Sequence, residues 1–346
     1  MHPENFPSQQ PQWRPPKVSV LMISYNHEAY IAQAIDSVLA QTTDFDVEIV
    51  IGEDCSTDGT RRIALDYQRR HPGRIRVLAR EKNLGMLPNL VDTYQNCRGQ
   101  YIALLEGDDY WCDPLKLKSQ VELLDARSDF AICFHNVAVV GDRSDGFPAQ
   151  LCRNVPEVST IEDLAFQLYI PTCSVVLRNG LIPEFPAWFY KLGMGDWPLL
   201  LLAAQQGRIW YFDKIMAHYR RHPGGIWSSE SNSRNSEKLL DAVNILNQAL
   251  GHKFDSIFCA QECWCWCDLA VKCDRQNRHE EAVRFRRLAR HRALRSFPQL
   301  LRLGWSPTRL KLNMLFRLFF PRTWKTIQSL RNCIFRRGTS MASRNA

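Results

Sequence analysis

Short apolar runs alternate with helical patterns along the first third of the chain. β-branched and aromatic residues are concentrated in four of these runs, which predict strands at 17–23, 47–51, 75–78 and 101–105. Between the strands, apolar residues recur with a helical period over 28–41 and 63–67, and a further helix is expected to end near Cys97. Strands that alternate with helices predict an α/β fold with a mainly parallel sheet.

Carboxylates follow the fourth of these strands without a gap. The apolar segment 101–105 leads directly into Glu106-Gly107-Asp108-Asp109. Open α/β sheets bind ligands at the carboxyl ends of their strands. Mg²⁺ or Mn²⁺ is typically held by one or two carboxylates together with substrate phosphates. The pattern therefore favours a divalent-cation site, and a polar loop that simply follows a strand is the alternative.

Polar motifs also follow the other strands, and together they resemble a known family. Ser24-Tyr25-Asn26 follows the first strand, the acidic and glycine-containing segment 53–60 the second, and Asn83-Leu84-Gly85 the third, while Gly195-Asp196-Trp197 occurs later. With the acidic motif, this order is similar to that of inverting family 2 nucleotide-sugar glycosyltransferases, of the kind found in bacterial polysaccharide biosynthesis. The resemblance covers about residues 17–225 and implies a GT-A type, Rossmann-like sheet flanked by helices.

The resemblance implies a binding site for a nucleotide diphosphate sugar. Tyr25 is expected to stack on the base, because aromatic stacking contributes about 1–3 kcal/mol and accepts any base. Asp54 is expected to accept a hydrogen bond from a base imide, which favours a UDP-linked donor. Glu53 stands where the family usually has Asp. The residues implied for the nucleotide, besides Tyr25 and Asp54, are Ser24, Asn26, Glu53, Asn83 and Asp108.

The resemblance also assigns roles to the acidic motif. Asp109 is implied as the first ligand of Mn²⁺ or Mg²⁺, and Asp108 as the second, in contact with the ribose or a metal-bound water. A cation there neutralises the charge that develops on the departing nucleotide. Glu106 fits an acid-x-acid pattern and is assigned to the phosphate or acceptor side of the site.

A basic loop after a strand-like segment at 215–219 is a second candidate for contact with the diphosphate. Arg220 and Arg221 suit phosphate recognition because the guanidinium group is a planar fork of donors. His222 is a further candidate metal ligand, as in some related enzymes. The alternative is a surface loop with a solvated histidine.

Inversion at a sugar carbon requires a base on the face opposite the leaving group. The transition state has oxocarbenium character, so the base has only to take the proton of the acceptor hydroxyl as the new bond develops. Asp196 is the candidate base, and Trp197 beside it is assigned to the phosphate or acceptor side of the site. The alternative is that Asp196 caps the helix predicted over 197–206, with Pro198 in its first turn.

Cysteine usage predicts free thiols in a reducing compartment. The chain has 12 cysteines, and residues 1–16 contain no apolar run of the kind found in a secretory signal, so we expect a cytoplasmic protein. Five cysteines lie between 259 and 273 without a C-x₂-C pair, a spacing that does not match the common zinc sites. They are predicted to be small apolar residues on a helix face.

Positive charge is concentrated towards the C-terminus. Residues 275–337 contain 17 Lys/Arg and 2 Asp/Glu, whereas the whole chain has a net charge of +8, so the rest of the chain is net negative. Basic amphipathic helices with aromatic residues bind anionic membrane surfaces, and a helical cap or a subunit contact is the alternative. Helical periods predict an amphipathic helix over 236–250 and a helical pair over 258–273 and 280–294. Basic helices in which Leu, Phe and Trp alternate with Arg and Lys are predicted over 309–320 and 324–335.

These patterns predict four regions along the chain. Residues 1–16 and 338–346 are expected to be disordered, residues 17–230 to form the GT-A catalytic domain, and residues 231–337 to form a helical, basic extension. No stretch is apolar and long enough to predict a membrane-spanning helix. We therefore expect peripheral attachment to the inner face of the plasma membrane.

The predicted function is metal-dependent, inverting transfer of a hexose or an N-acetylhexosamine from a nucleotide diphosphate sugar. The expected acceptor is a hydroxyl of a saccharide or of a lipid-linked molecule in cell-surface glycan synthesis. Two other classes stay open: a catalytically silent nucleotide-sugar-binding or scaffold module, and a nucleic-acid-binding protein that uses the basic tail. The tail has no recognisable nucleic-acid-binding motif, so no specific nucleic acid is expected.

Overall fold

The computed structural model describes residues 15–143, 147–152, 155–225 and 232–302. Several predicted segments lie outside these residues: most of 1–16, the basic helices over 309–320 and 324–335, and the tail 338–346. The chain divides into two compact units, of which the first comprises the described parts of 1–164 and 168–228 and the second those of 165–167 and 229–346.

One mixed sheet contains the strands of the described residues. The strands are β1 (Val18–Ser24), β2 (Val47–Glu53), β3 (Ile75–Ala79), β4 (Tyr101–Leu104), β5 (Tyr110–Trp111), β6 (Phe130–Gly141), β7 (Val158–Ser159), β8 (Val176–Arg178) and β9 (Arg208–Arg221). The helices that alternate with them are α1 (Ile31–Leu39), α2 (Thr60–Arg70), α3 (Met86–Gln95), α4 (Lys116–Ala126), α5 (Ile161–Phe166) and α6 (Asp196–Ala204). Short 3₁₀ helices lie at Thr172–Ser174 and Phe189–Lys191.

Helical crossovers make neighbouring strands parallel in the first half of the sheet. The strand order is β3-β2-β1-β4-β8-β6-β9-β5, and β7 pairs with β9. β1 pairs in parallel with β2 and β4, and β2 with β3, whereas β8 runs antiparallel to both β4 and β6. The predicted α/β fold with a mainly parallel sheet is therefore confirmed, and antiparallel pairing is added around β8 and between β9 and the short strands β5 and β7.

Apolar residues on both faces explain the position of the central strands. Every residue of β2 and β4 is buried. Helix α1 contributes its buried face to the same core through Ile31, Ala34, Ile35 and Val38, which follow the spacing of one helical stripe. A strand that is covered on both faces has a continuous apolar run, which is why these strands were predicted from the sequence.

Two long strands bring the basic loop back towards the acidic motif. β6 and β9 pair in parallel from Phe130 opposite Arg208 to Gly141 opposite Arg221, with register shifts around Asn136. On its other side β9 pairs with the short strand β5, which begins directly after the acidic motif. The sequence predicted only residues 215–219 of β9, so the extent of this pairing is a finding of the structure.

Helices make up most of the described second unit. They are α7 (Asn232–Ala249), α8 (Asp255–Arg275) and α9 (His279–Arg302). The cysteines of α8 are buried free thiols, as predicted for small apolar residues, and Cys265 packs with Leu240 and Leu269. Within the described ranges, no helix combines the length and apolar character needed to cross a membrane.

Candidate active site

The carboxyl ends of β1 and β2 and the loop after β4 lie side by side at one edge of the sheet. Parallel register pairs Ser24 with Glu53 at the last positions of β1 and β2. Beyond the strands, the N–H of Asp54 donates to the carbonyl oxygen of Ser24, and the N–H of Gly107 to that of Ile23, each at 3.0 Å. The three loops that carry the predicted nucleotide and metal residues are therefore held together.

Glu106, Asp108 and Asp109 form the acidic cluster, the one group of three or more potential metal ligands found among the described residues. One ligand oxygen from each residue lies within 4.8 Å of the others. Asp109 is buried, and its Oδ1 accepts the backbone N–H of Arg220 at 2.7 Å. Its Oδ2 has no nitrogen or oxygen hydrogen-bond partner among the described residues, and the thiol of Cys173, a weak donor, is a neighbour of this carboxylate. Burial, and then the charge of Asp108, raise the pKa of Asp109 well above its ordinary range.

This arrangement fits a hard divalent cation. A buried carboxylate oxygen without a partner is costly unless a positive charge satisfies it. The donors of the acidic cluster are all carboxylate oxygens, which Mg²⁺ and Mn²⁺ prefer. Asp109 and Asp108 would supply the ligands, as the sequence predicts.

Two histidines face the carboxylate of Asp108. The Nε2 atom of His222 lies 3.0 Å from Asp108 Oδ2, and that of His27 lies 3.8 Å from the same oxygen. Burial raises the pKa of Asp108, but the hydrogen bond with His222 and the charges of both histidines outweigh it and leave the pKa below its ordinary value. Asp108 is therefore the acid of the cluster that ionises first.

The predicted base lies close enough to the acidic cluster to act on it electrostatically. Burial raises the pKa of Glu106 well above its ordinary range, and the charges of Asp108, Asp109 and Asp196 raise it further. Asp196 is the first residue of α6, and Gly195 occupies the cap position, so the alternative of Asp196 as the N-cap is not what the structure shows. Burial also raises the pKa of Asp196, against backbone hydrogen bonds at the helix start that lower it.

The residues of the first three loops that are predicted to bind the nucleotide are either exposed, as Tyr25 is, or buried and hydrogen-bonded, as Asp54 is. Tyr25 is exposed, with 44% of its surface accessible, and is free to stack on a base. Asp54 is buried, and its two carboxylate oxygens accept the N–H groups of Leu84 at 2.7 Å and Gly85 at 3.0 Å. The side chain of Asn83 donates to the carbonyl oxygen of Asp54 at 3.1 Å. Asp54 thus fixes the loop after β3 against the loop after β2.

Ser24 and Asn26 complete the loop after β1. The hydroxyl of Ser24 is buried and has no hydrogen-bond partner among the described residues. Asn26 has a positive φ of 57° and accepts the N–H of Thr57 at 2.8 Å through its side-chain oxygen. Asn tolerates this left-handed conformation better than most residues. Asn26 therefore shapes the loop that presents Tyr25.

Sequence comparison assigns the chain to a family. The model described as glycosyl transferase family 2 matches residues 19–178. TuaG of Bacillus subtilis, which is provisionally assigned as a teichuronic acid biosynthesis glycosyltransferase, is 34% identical over 222 residues, or 63% of this chain and 84% of TuaG. The chain belongs to glycosyl transferase family 2.

The chain is also similar to an uncharacterized relative and to two solved structures of low sequence identity. An uncharacterized protein of Mycobacterium tuberculosis is 40% identical over 221 residues, which span 63% of this chain and 62% of that relative. Staphylococcus aureus TarS in complex with UDP-GlcNAc has a TM-score of 0.55 at 19% identity, over 83% of this chain and 92% of TarS. The mannosyltransferase PcManGT of Pyrobaculum calidifontis, in complex with GDP-Man and Mn²⁺, has a TM-score of 0.52 at 17% identity, over 91% and 85%. These likenesses show the GT-A fold.

Glu53, where the family usually has Asp, has a different role from the one predicted. Glu53 is fully buried; its Oε1 accepts the N–H of Ser56 at 2.7 Å, and its Oε2 accepts from Arg61 Nε at 2.5 Å. Both carboxylate oxygens are therefore engaged inside the protein. The structure corrects the expectation that Glu53 binds the nucleotide: it shapes the loop that carries Asp54.

Removing the partner of Glu53 is expected to destabilise the fold. Arg61→Ala leaves a buried carboxylate without its counter-charge. We expect the free energy of unfolding to fall by about 2 kcal/mol, which is less than the roughly 3–5 kcal/mol for breaking a fully buried pair, because the Arg61 side chain is 34% exposed. Urea unfolding measures it. Arg62→Ala is the matched control, because Arg62 is 76% exposed and 3.9 Å from Glu28. Equal effects of the two substitutions would contradict the role of Glu53.

The two arginines of the basic loop have different surroundings. Arg220 Nε donates to the carbonyl oxygen of Asp108 at 2.8 Å, and its guanidinium lies over the ring of Tyr30 at 4.7 Å. Arg221 Nη1 donates to the carbonyl oxygen of Asp142 at 3.0 Å, and its guanidinium lies over Phe147. Adjacent residues of a strand face opposite sides. The structure therefore places Arg220 beside the acidic cluster and corrects the expectation for Arg221.

Trp197 lies in the core. It is fully buried, and its indole N–H donates to the carbonyl oxygen of Leu164 at 2.8 Å. Leu199, Leu200 and Leu201 of α6 are buried with it, so the start of this helix is anchored inside the protein. The expectation that Trp197 lies on the phosphate or acceptor side is therefore corrected: it holds the helix that begins with Asp196.

Sequence reasoning missed the histidine that approaches Asp108 from the loop after β1. Burial lowers the pKa of His27, and the charge of Asp108 opposes that shift. The ring of His27 lies 6.2 Å from that of His222, at nearly a right angle. Its place directly after the Ser24-Tyr25-Asn26 motif was the available signal, because a polar residue there reaches the same sheet edge as the acidic motif.

Proposed function

We propose that this chain transfers a sugar from a UDP sugar to a hydroxyl of a saccharide or lipid-linked acceptor, with inversion at the sugar carbon and with Mn²⁺ or Mg²⁺. The observation that carries the proposal is the unpaired, buried Oδ2 of Asp109, which lies in an all-carboxylate cluster at the sheet edge that also presents Tyr25. Membership of glycosyl transferase family 2 supports the reaction class.

The donor nucleotide is proposed to lie against the loops after β1 and β2. Tyr25 stacks on the base, and Asp54 accepts a hydrogen bond from its imide. Unlike Glu53, which is paired with the guanidinium of Arg61, Asp54 accepts one backbone N–H at each oxygen and keeps a second lone pair at each for this contact. The binding of UDP and of UDP-GlcNAc by TarS supports a uridine donor.

Asp109 and Asp108 are proposed to hold the cation, with Glu106 beside them on the phosphate side. The cation supplies Lewis-acid stabilisation of the diphosphate, and PcManGT with GDP-Man and Mn²⁺ is a precedent in the same fold. With its proton on Nε2, which lies 3.0 Å from Asp108 Oδ2, His222 donates to Asp108 and keeps it ionised. With its proton on Nδ1, the same Nε2 would be free to bind the cation, so His222 is the further candidate ligand. Arg220 adds a fixed positive charge next to this cluster.

Asp196 is proposed as the general base. The acceptor oxygen attacks the anomeric carbon, the bond to the nucleotide diphosphate breaks, and the acceptor proton passes to the carboxylate of Asp196. A carboxylate with a raised pKa is a better proton acceptor than an ordinary one, and burial provides that shift. The charge of Asp196 acts on Glu106, which supports a position of the base beside the acidic cluster.

Cell-surface glycan synthesis at the cytoplasmic face of the plasma membrane is the proposed setting. TuaG, whose provisional assignment is to teichuronic acid biosynthesis, matches 63% of this chain. Lipid-linked acceptors lie at such a surface. The basic C-terminal region is the proposed contact with anionic lipid.

Calorimetric titration with UDP, GDP, CDP and dTDP, each with Mn²⁺ and with a chelator, tests the donor and metal parts of the proposal. We expect UDP to bind in the presence of Mn²⁺, more weakly with the chelator, and more tightly than the other nucleotides. Absence of binding by all of them would contradict the proposal and favour the silent-module or nucleic-acid alternatives.

Tyr25 variants show whether the nucleotide occupies this site. Tyr25→Ala is expected to weaken UDP binding by about 5- to 150-fold, because base stacking contributes roughly 1–3 kcal/mol. Tyr25→Phe keeps the ring and is expected to bind as the parent does. Tyr190→Ala is the matched control, since Tyr190 is equally exposed at 46% but lies outside the predicted motifs. Unchanged affinity in Tyr25→Ala would place the nucleotide elsewhere.

A further inference from the structure

The outer face of α9 has an unusual arrangement of charge. Arg284, Arg287, Leu288 and His291 are all exposed and follow the spacing i, i+3, i+4, i+7, so they lie on one side of the helix. Val283, which is 62% exposed, borders them. We call these residues the basic face. Glu280, one turn before Arg284, is the acid at its N-terminal end.

The arginines on the inner side of α9 are neutralised by acids of α8. Arg286 pairs with Asp274, and Arg292 Nε lies 2.8 Å from Glu262 Oε2. By contrast, Arg284 has a longer-range electrostatic partner in Glu281, which is itself paired with Arg278. Within the described residues, no carboxylate lies within salt-bridge distance of Arg284 or Arg287. The acids of α8 therefore compensate the inner arginines of α9, whereas the arginines of the basic face remain available to an external anionic partner.

We infer that the basic face binds an anionic membrane surface. Its guanidinium groups complement phosphate headgroups, and each basic residue near such a surface adds attraction. The exposed Val283 and Leu288 lie between the arginines, where they can enter the boundary between headgroups and acyl chains. A nucleic-acid backbone would use the arginines but not these aliphatic side chains. The inference deepens the proposed location, and it assigns the contact to described residues of α9.

Co-sedimentation of the full chain with lipid vesicles tests the inference. We expect binding to vesicles of phosphatidylglycerol and phosphatidylcholine and weak binding to phosphatidylcholine alone. The double substitution Arg284→Glu with Arg287→Glu is expected to lower the partition onto the anionic vesicles by at least about tenfold. The milder pair Arg284→Gln with Arg287→Gln should lower it less, and it keeps the test valid where charge reversal disturbs folding.

The matched control reverses two exposed arginines of the first unit, Arg69→Glu with Arg74→Glu, which changes the net charge equally. An equal decrease in this control, or no decrease in the α9 variants, would overturn the inference. Leu288→Ser is expected to weaken vesicle binding and to leave binding of a labelled RNA unchanged. Binding of RNA without binding of vesicles would also overturn it.

Mn²⁺-dependent UDP binding of each variant separates this inference from the proposed function. The basic face lies in the second unit, outside the predicted nucleotide motifs, so the α9 variants are expected to bind UDP as the parent does. Loss of vesicle binding with retained UDP binding supports the inference. Absence of UDP binding in the parent chain would contradict the proposed function and leave the vesicle result to stand by itself.

Discussion

Asp196→Asn is expected to reduce sugar transfer by about 10²- to 10⁴-fold while UDP affinity stays nearly unchanged. The amide has the shape of the carboxylate but cannot take the proton of the acceptor hydroxyl. Asp196 begins α6 and is separate from the loops of Tyr25 and Asp54, so the donor contacts are left in place. Single-turnover transfer assays and UDP titration measure the two effects separately.

The pH profile gives this prediction a second readout. Asp196 must be ionised to act as the base, and burial raises its pKa above the ordinary value. The ionised form is therefore lost as the pH falls through that raised pKa, and kcat should decline at a higher pH than an ordinary aspartate would give. Asp44→Asn is the control, because the Asp44 side chain is 73% exposed. A transfer rate for Asp196→Asn equal to that of this control would exclude Asp196 as the base.

Asp109→Asn is expected to abolish Mn²⁺-dependent UDP binding. The amide can still accept the N–H of Arg220, but it lacks the charge that the unpaired Oδ2 offers to a cation. We expect the Mn²⁺-dependent affinity for UDP to fall by more than the roughly 10- to 100-fold decrease in metal affinity that follows mutation of a residue that hydrogen-bonds a metal ligand. Titration of UDP at several Mn²⁺ concentrations measures it, with Asp66→Asn on the exposed side of α2 as the control.

Stability without metal distinguishes loss of a ligand from loss of the fold. A buried carboxylate whose pKa is raised costs folding free energy when no cation is present. In the presence of a chelator, Asp109→Asn should therefore unfold at the same temperature as the parent or at a higher one. A clearly lower unfolding temperature would show that Asp109 is a structural residue. Equal loss of UDP binding in Asp109→Asn and Asp196→Asn would undo the division of roles between them.

The local pattern of apolar and polar residues determined the first four strands of this protein. Apolar runs that end in polar motifs predicted β1, β2, β3 and β4, because a strand covered on both faces needs consecutive apolar residues. Parallel strands bring their carboxyl ends to one edge, where the structure joins the loops of Tyr25, Asp54 and Asp109, which the family resemblance assigned to one site. The burial of a strand follows from consecutive apolar residues, and the parallel direction of neighbouring strands follows from the helices between them. Both can be recognised from residues that are close in the sequence.

Only the tertiary structure decided where several polar side chains point. Arg220 and Arg221 are chemically equivalent in the sequence, and the pairing of β9 with β5 and β6 decided which of them meets the acidic cluster. Glu53 is engaged by Arg61 of α2, and Asp108 by His27 and His222 from separate loops. The partner of a polar side chain is determined by packing between elements that are distant in the chain. The local sequence pattern does not predict that packing.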